Sequence, residues 1–216
     1  MKYDLVIFDL DGTILDTLGD LAAAVNYALA ANGYPTHDTK TIRRFIGNGV
    51  ANLMQRALPD GTPKEVHARL LAEFKAYYRD HMDDHTMPYD GITDLMRALH
   101  DNGIRIGINS NKFDAALQNL CRIHFDGLYD VAMGESETTP RKPDPTAALR
   151  IMGRYNVSKK RCIYIGDSAV DMTTAQNAGI DAAWVAWGFR TRDEMGDTLL
   201  PHAFDSVARL KDFLLG

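Results

Sequence analysis

The sequence predicts an α/β fold: a doubly wound parallel-sheet core into which an all-helical cap domain is inserted. Short apolar runs recur along the chain and alternate with segments of helical spacing, the pattern of strands joined by crossover helices. One long stretch, from Asp16 to about Met87, breaks that alternation and carries helical periodicity alone. The expected division is a discontinuous core of residues 1–15 and 88–216 with a cap of residues 16–87. A chain of 216 residues, 45% of them hydrophobic, suits a sizeable core with a modest insertion better than two large domains.

The first element is the run YDLVIFDL over Tyr3 to Leu10, rich in Val, Ile and Phe, which fits a strand buried on both faces of a parallel sheet. Asp9 falls at its carboxyl end. The insertion then opens with a helix whose apolar face is Leu18, Leu21, Val25 and Leu29 and which stops at Gly33, shortly before Pro35. A second helix is expected to start at Thr62-Pro63-Lys64-Glu65 as a capping box, with Thr62 as the cap and Val66, Leu70, Phe74 and Tyr77 or Tyr78 as the apolar face. The chain rejoins the core near Met87-Pro88-Tyr89-Asp90-Gly91, so both connections are expected close to Asp9, as for a lid hinged over it. Leu95, Met96 and Leu99 before Gly103 mark the next helix, and further strands are expected at Ile104–Asn109, Tyr129–Met133, Arg161–Ile165 and Ala182–Ala186.

Composition excludes several classes of function. A net charge of -5, with charged residues spread along the chain, leaves no basic stripe for a nucleic-acid backbone. No apolar span approaches membrane length, and no leader with a cleavage site precedes the first strand, so a soluble, cytoplasmic protein is expected. Cys121 and Cys162 form no CxxC pair and are expected to be free core thiols. The seven histidines show no metal-ligand spacing and are read as structural or surface residues. No obligate protein partner is evident.

In a Rossmann-like sheet, ligands bind beyond the carboxyl ends of the strands, and the polar residues expected there are few. Asp9 and Asp11 come from Asp9-Leu10-Asp11-Gly12-Thr13, and Ser110, Asn111 and Lys112 from the next run. Asp167, Ser168 and Asp171 follow from IYIGDSAVD, and Lys142 from Arg141-Lys142-Pro143-Asp144-Pro145. Clustered carboxylates repel one another unless a cation neutralises them, and all-oxygen ligation favours a hard ion such as Mg²⁺. A phosphate group matches such a site, with Lys142 and the backbone N–H groups around Leu10, Gly12 and Asn111 balancing its charge. Each residue also has a plainer reading. Asp9 and Asp11 could form a turn, Asp167 could cap a helix, Asp171 could face a helix dipole, and Lys112 is read as solvated. Trp184 and Trp187 are read as core.

The blocks DLDGT, NSN, KPDP and GDSAVD, in this order over nearly the whole chain, resemble the motifs of the haloacid dehalogenase superfamily. The helical insertion resembles that family's cap of the first type. The resemblance implies a nucleophile at Asp9, a general acid and base at Asp11, and Mg²⁺ held by Asp9, the Asp11 carbonyl and Asp167. Ser110 and Lys142 would grip the transferring phosphoryl group, with Asp171 orienting Lys142 or the metal's water shell. Asp11 counts against dehalogenation, because halide departure needs no acid. Gly47-Asn48-Gly49 with Arg44 nearby, PYDG and AWGFRTRDE resemble the phosphoglycolate phosphatase branch, which implies a small phosphorylated metabolite as substrate. The two glycines could equally just end one helix and start another. A phosphoryl transferase such as a sugar-phosphate mutase, a pyrophosphatase or nucleotidase, and a receiver-type signalling module are the rival readings.

Overall fold

The computed structural model describes residues 2–216. The chain divides into two compact units, one made of Met1–Asp16 and Pro88–Gly216, the other of Thr17–Met87.

The first unit is built on six parallel strands: β1 (Leu5–Phe8), β4 (Arg105–Phe113), β5 (Val131–Glu135), β6 (Cys162–Gly166), β7 (Asp181–Val185) and β8 (His202–Phe204). They lie in the order β5-β4-β1-β6-β7-β8. Leu5 registers with Arg105 on one side and Cys162 on the other, so β1 is central. All four of its residues are buried, which requires cover on both faces. Leu5 and Ile7 pack into a cluster with Ala148 and Ile151 of α7 (Thr146–Tyr155) and Met172 and Ala175 of α8 (Ala169–Ala178). Val6 and Phe8 have the opposite parity and point to the other face. There α5 (Ile92–Asp101) buries Ile92, Leu95, Met96 and Leu99 and packs on β4 and on α10 (Val207–Leu215). The unit is completed by α6 (Asp114–Phe125) and a single turn, α9 (Arg192–Met195).

Two details of the sheet differ from expectation. β4 runs on to Phe113 rather than ending at Asn109, with a register shift between those residues against β5. Ser110, Asn111 and Lys112 are therefore held on the sheet rather than in a loop. The edge strand β8 and the two-residue strands β2 (Leu15–Asp16) and β3 (Met87–Pro88) were not expected, being too short to show a period.

The second unit is wholly helical: α1 (Leu18–Ala31), α2 (Thr39–Phe45), α3 (Val50–Ala57) and α4 (Lys64–His81). Leu21, Val25, Ala28 and Leu29 of α1 are buried, as are Leu70, Phe74 and Tyr78 of α4, and the two helices pack together. The Asp38 side chain caps α2 by accepting from the Thr41 N–H at 2.7 Å. The capping box expected at Thr62 does not form. Pro63 occupies the cap position of α4, and the Thr62 hydroxyl donates to the Pro59 carbonyl at 2.7 Å.

Candidate active site

The site sits at the carboxyl ends of β1, β4 and β6, where the central strand has neighbours reached by separate crossovers. Asp9 is the first residue beyond β1, and its N–H still donates to the Ile165 carbonyl at 2.9 Å, which fixes its backbone to the sheet. The chain then turns sharply, with the Leu10 carbonyl accepting from Thr13, Ile14 and Leu15. Gly12 has φ +82, and a Cβ there would strike the Asp167 carboxylate and the Phe189 ring. Its N–H, expected among the phosphate donors, instead donates to the Leu15 carbonyl at 2.9 Å. Gly12 thus serves the turn and leaves room for Asp167. The tolerance is just as tight at Gly188, where a Cβ would meet the Gly12 carbonyl and Asp167, and at Gly166, where it would meet the Asp171 side chain.

Lys142 occupies the centre of the charge arrangement. Its ammonium contacts Asp9 Oδ1 and Asp171 Oδ1, each at 2.7 Å, and is almost completely buried. Burial alone would favour the neutral amine, but Asp171 and Asp9 outweigh it and hold the proton firmly. Asn111 positions the lysine from the backbone side: its Oδ1 accepts from the Lys142 N–H at 2.7 Å and its Nδ2 donates to the Lys142 carbonyl at 3.2 Å. Asp171 spends its other oxygen on the start of α8, accepting from the Ser168 N–H at 3.0 Å and hydroxyl at 2.6 Å. One carboxylate therefore ties a helix terminus to the lysine. Ser110 is buried, and its Oγ accepts from the Lys112 N–H at 3.2 Å.

Asp167 is held from two sides: its Oδ2 accepts from the Phe189 N–H at 2.6 Å and its carbonyl accepts from the Trp184 indole at 2.9 Å. The Trp187 indole likewise donates to the Thr13 carbonyl at 3.0 Å. Both tryptophans thus brace the loops that carry the acidic residues. Burial pushes the Asp167 carboxyl well up, and Asp171 and Asp9 push it further. Asp9 is raised to about 7, chiefly by burial, with Lys142 pulling it down and Asp171 and Asp11 pushing it up.

Lys112 was misread as solvated. It is 4% exposed, and its ammonium lies 3.0 Å from Asp11 Oδ1. The site therefore contains four carboxylates, Asp9, Asp11, Asp167 and Asp171, against two ammonium groups, Lys112 and Lys142. That is a formal excess of two negative charges in a buried space, which a divalent cation would cancel. Oxygens of Asp9, Asp167 and Asp171 lie within 4.8 Å of one another, a donor set that suits a hard ion. The Asp11 carboxylate is engaged with Lys112.

The remaining expected residues, Gly47, Asn48, Gly49 and Arg44, belong to the helical unit. Gly49 caps α3 with φ +84, Asn48 has φ +59, and Gly47 has φ +126. Arg56 braces the loop by donating to the Phe45 carbonyl at 2.7 Å and the Gly47 carbonyl at 3.0 Å. Arg44 is exposed in the last turn of α2. Cys121 and Cys162 are buried free thiols, and among the described residues no helix is long and apolar enough to cross a membrane.

The family model for haloacid dehalogenase-like hydrolases matches residues 6–185. A phosphoglycolate phosphatase of Colwellia psychrerythraea is 30% identical over 214 residues, covering 96% of this chain and 95% of its own. One from Cereibacter sphaeroides is 37% identical over 192 residues, 86% of each chain. A crystal structure from Lactobacillus delbrueckii subsp. bulgaricus, of a protein provisionally described as a phosphoglycolate phosphatase, matches with TM-score 0.94 and 34% identity over 100% of both chains.

Proposed function

Because the chain belongs to the haloacid dehalogenase-like hydrolases and is a phosphoric monoester hydrolase, we propose that it cleaves a small phosphate monoester through an aspartyl phosphate on Asp9, with Mg²⁺ as cofactor and phosphoglycolate as preferred substrate. The observation that carries this reading is Asp9 itself. It is a buried carboxylate at the end of the central strand, paired to Lys142, with Asp11 two residues on and paired to a different lysine. Two carboxyl groups kept apart by separate counter-ions suit two different tasks.

In the first step, with Asp11 entering protonated, an Asp9 oxygen attacks phosphorus in line, and the bond to the leaving oxygen breaks as that oxygen takes the Asp11 proton, which the second step restores. In the second, water attacks the phosphoryl group, Asp11 receives its proton, and Asp9 is released with inorganic phosphate. Lys142 and Ser110 hold the transferring oxygens, and Asn111 and Asp171 keep Lys142 aimed at them. Bound Mg²⁺, held by Asp9, Asp167 and the Asp11 carbonyl, supplies the positive charge that lets carboxylates and a phosphate dianion share the site. Residues 16–87 act as the cap and 1–15 with 88–216 as the catalytic core. Two buried free cysteines suit the reducing cytoplasm, where we place the protein.

A phosphate-release panel with Mg²⁺, covering phosphoglycolate, p-nitrophenyl phosphate, hexose phosphates, nucleoside monophosphates and pyrophosphate, tests the reading. The expected result is release from the aryl phosphate and fastest release from phosphoglycolate. No release from any member overturns the hydrolase mechanism. A wide preference for a nucleotide, pyrophosphate or hexose phosphate overturns the substrate alone.

A further inference from the structure

We propose that Tyr164 is a positioning residue for the reaction: its phenol oxygen takes one hydrogen of the Lys142 ammonium, so that together with Asp171 it directs the remaining hydrogen to Asp9. The proposal rests on the phosphatase reading above and adds to it a residue outside the four sequence blocks.

Tyr164 lies in β6, whose residues CIYIG are all buried, and it registers with Ile7 of β1, two residues before Asp9. It packs in the same cluster as Ile7, Ala148 and Met172. A phenylalanine would serve that packing equally well, and a fully buried hydroxyl is tolerated only when it is hydrogen-bonded. The oxygen does have partners, and their chemistry fixes the direction of each bond. The Asn109 carbonyl, 3.0 Å away, can only accept, so the phenol proton points there. The lone pairs of the oxygen are left for a donor, and the Lys142 ammonium can only donate. Lys142 Nζ lies 5.9 Å from the ring centroid and is hydrogen-bonded to the phenol. That separation is the outer limit of a cation–π contact, so the oxygen rather than the ring face engages the charge. Burial keeps the phenol protonated, well above its ordinary range; Lys142 pulls the other way, and Asp171 and Asp9 side with burial.

An ammonium carries three donors on a flexible stem, and one paired with Asp9 and Asp171 alone, each at 2.7 Å, could still pivot about those two contacts. A third contact stops the pivot. Asp171 belongs to α8, Tyr164 to β6 and Asp9 to the end of β1, so the three anchors come from three separate elements. With Asp171 and Tyr164 holding two hydrogens, the third is directed to Asp9 Oδ1, on the carboxylate assigned above as the nucleophile. A phosphoryl group arriving there meets a donor that is already aimed. Asn111 and Tyr164 act on opposite ends of one side chain: Asn111 fixes the Lys142 backbone through its N–H and carbonyl, and Tyr164 fixes the ammonium. The same phenol bonds the carbonyl of Asn109, the residue before Ser110. One oxygen therefore links the two groups assigned to the transferring phosphoryl oxygens.

The test is Tyr164→Phe, which keeps the ring and removes the oxygen. With p-nitrophenyl phosphate and Mg²⁺, kcat should fall about tenfold or more, equivalent to about 1.4 kcal/mol of transition-state stabilisation, while KM stays within about twofold. Thermal melting checks that the variant is folded. A role confined to bracing Asn109 is separated by observing the lysine itself. In enzyme labelled with ¹⁵N-lysine, the buried Lys142 ammonium, held by three partners, should exchange slowly enough to give its own resonance, identified by its loss in Lys142→Arg. That resonance should shift or broaden away in Tyr164→Phe. A kcat within about twofold of wild type in the folded variant overturns the proposal. So does a Lys142 resonance that the substitution leaves unchanged, or that wild type does not show. A wild type that releases no phosphate from any ester overturns the phosphatase reading and the catalytic half of this proposal with it, whereas the resonance still reports whether Tyr164 holds Lys142.

Discussion

Replacing Asp9 by asparagine should inactivate the enzyme and, in the absence of metal, make it more stable. The Asp9 carboxyl is raised from 3.8 to about 7 by burial and by Asp171 and Asp11, against the pull of Lys142. A carboxyl whose folded value lies above its unfolded one binds more protons in the folded state between those two values. Stability therefore falls as pH rises through that window, and by pH 8 the full penalty applies. At 1.36 kcal/mol per unit the upper bound is about 4 kcal/mol. The asparagine amide must find its own hydrogen bonds and gives Lys142 no counter-ion, so about 2 kcal/mol is the expected net gain. For a chain of this length that is roughly 4–8 °C in Tm. The assay is thermal unfolding of both proteins in EDTA at pH 5 and pH 8. The variant should melt higher at pH 8, by a margin that shrinks toward pH 5. Excess Mg²⁺ should narrow it at pH 8 by stabilising wild type more. A variant that melts lower than wild type in EDTA at pH 8 would refute the view that the site holds uncompensated negative charge.

Metal removal should silence the enzyme, with Mg²⁺ restoring activity and Ca²⁺ doing so poorly because its looser coordination does not hold an in-line geometry; full activity in EDTA would sink the cofactor assignment. Asp171→Asn should cost about 2–4 kcal/mol of stability, since the residue both pairs with Lys142 at 2.7 Å and caps α8 through Ser168. Its kcat should also fall at least tenfold as Lys142 loses its aim, and a Tm within 2 °C of wild type, roughly the shift of a 1 kcal/mol change, would contradict this. Asp11→Asn should slow the first step far more for an alkyl phosphate than for p-nitrophenyl phosphate, whose leaving group needs no proton. Equal slowing in rapid-quench kinetics would rule out the acid role.

The central features of the fold are legible because they depend on local pattern. The run LVIF cannot sit on a half-exposed strand, and an acidic residue directly after it must lie at a strand end. The helical stretch between Asp16 and Met87 is equally plain. What escapes a linear reading is pairing. Lys112 looks like any surface lysine until Asp11, 101 positions away, is found 3.0 Å from its ammonium. The extension of β4 that buries it depends on β5, and the short strand β8 is visible only through its pairing with β7. Thr62 shows the opposite failure: the motif S/T-x-x-E is present, but the hydroxyl turns back to Pro59 and no box closes. Gly188 could not be singled out either, because its demand for a missing Cβ comes from Asp167 and the Gly12 carbonyl, which its own neighbourhood in the sequence does not announce.

The most direct test of the account is to trap the covalent intermediate. Wild-type enzyme with Mg²⁺ is mixed with substrate, acid-quenched within the first turnover, digested and mapped by mass spectrometry. One phosphoryl group should appear on the Asp9 side chain and should be absent from Asp9→Asn treated identically. A quenched enzyme that turns over substrate yet carries no phosphoryl group, or carries it on Ser110 or Asp11, would contradict the assignment of Asp9 as the nucleophile.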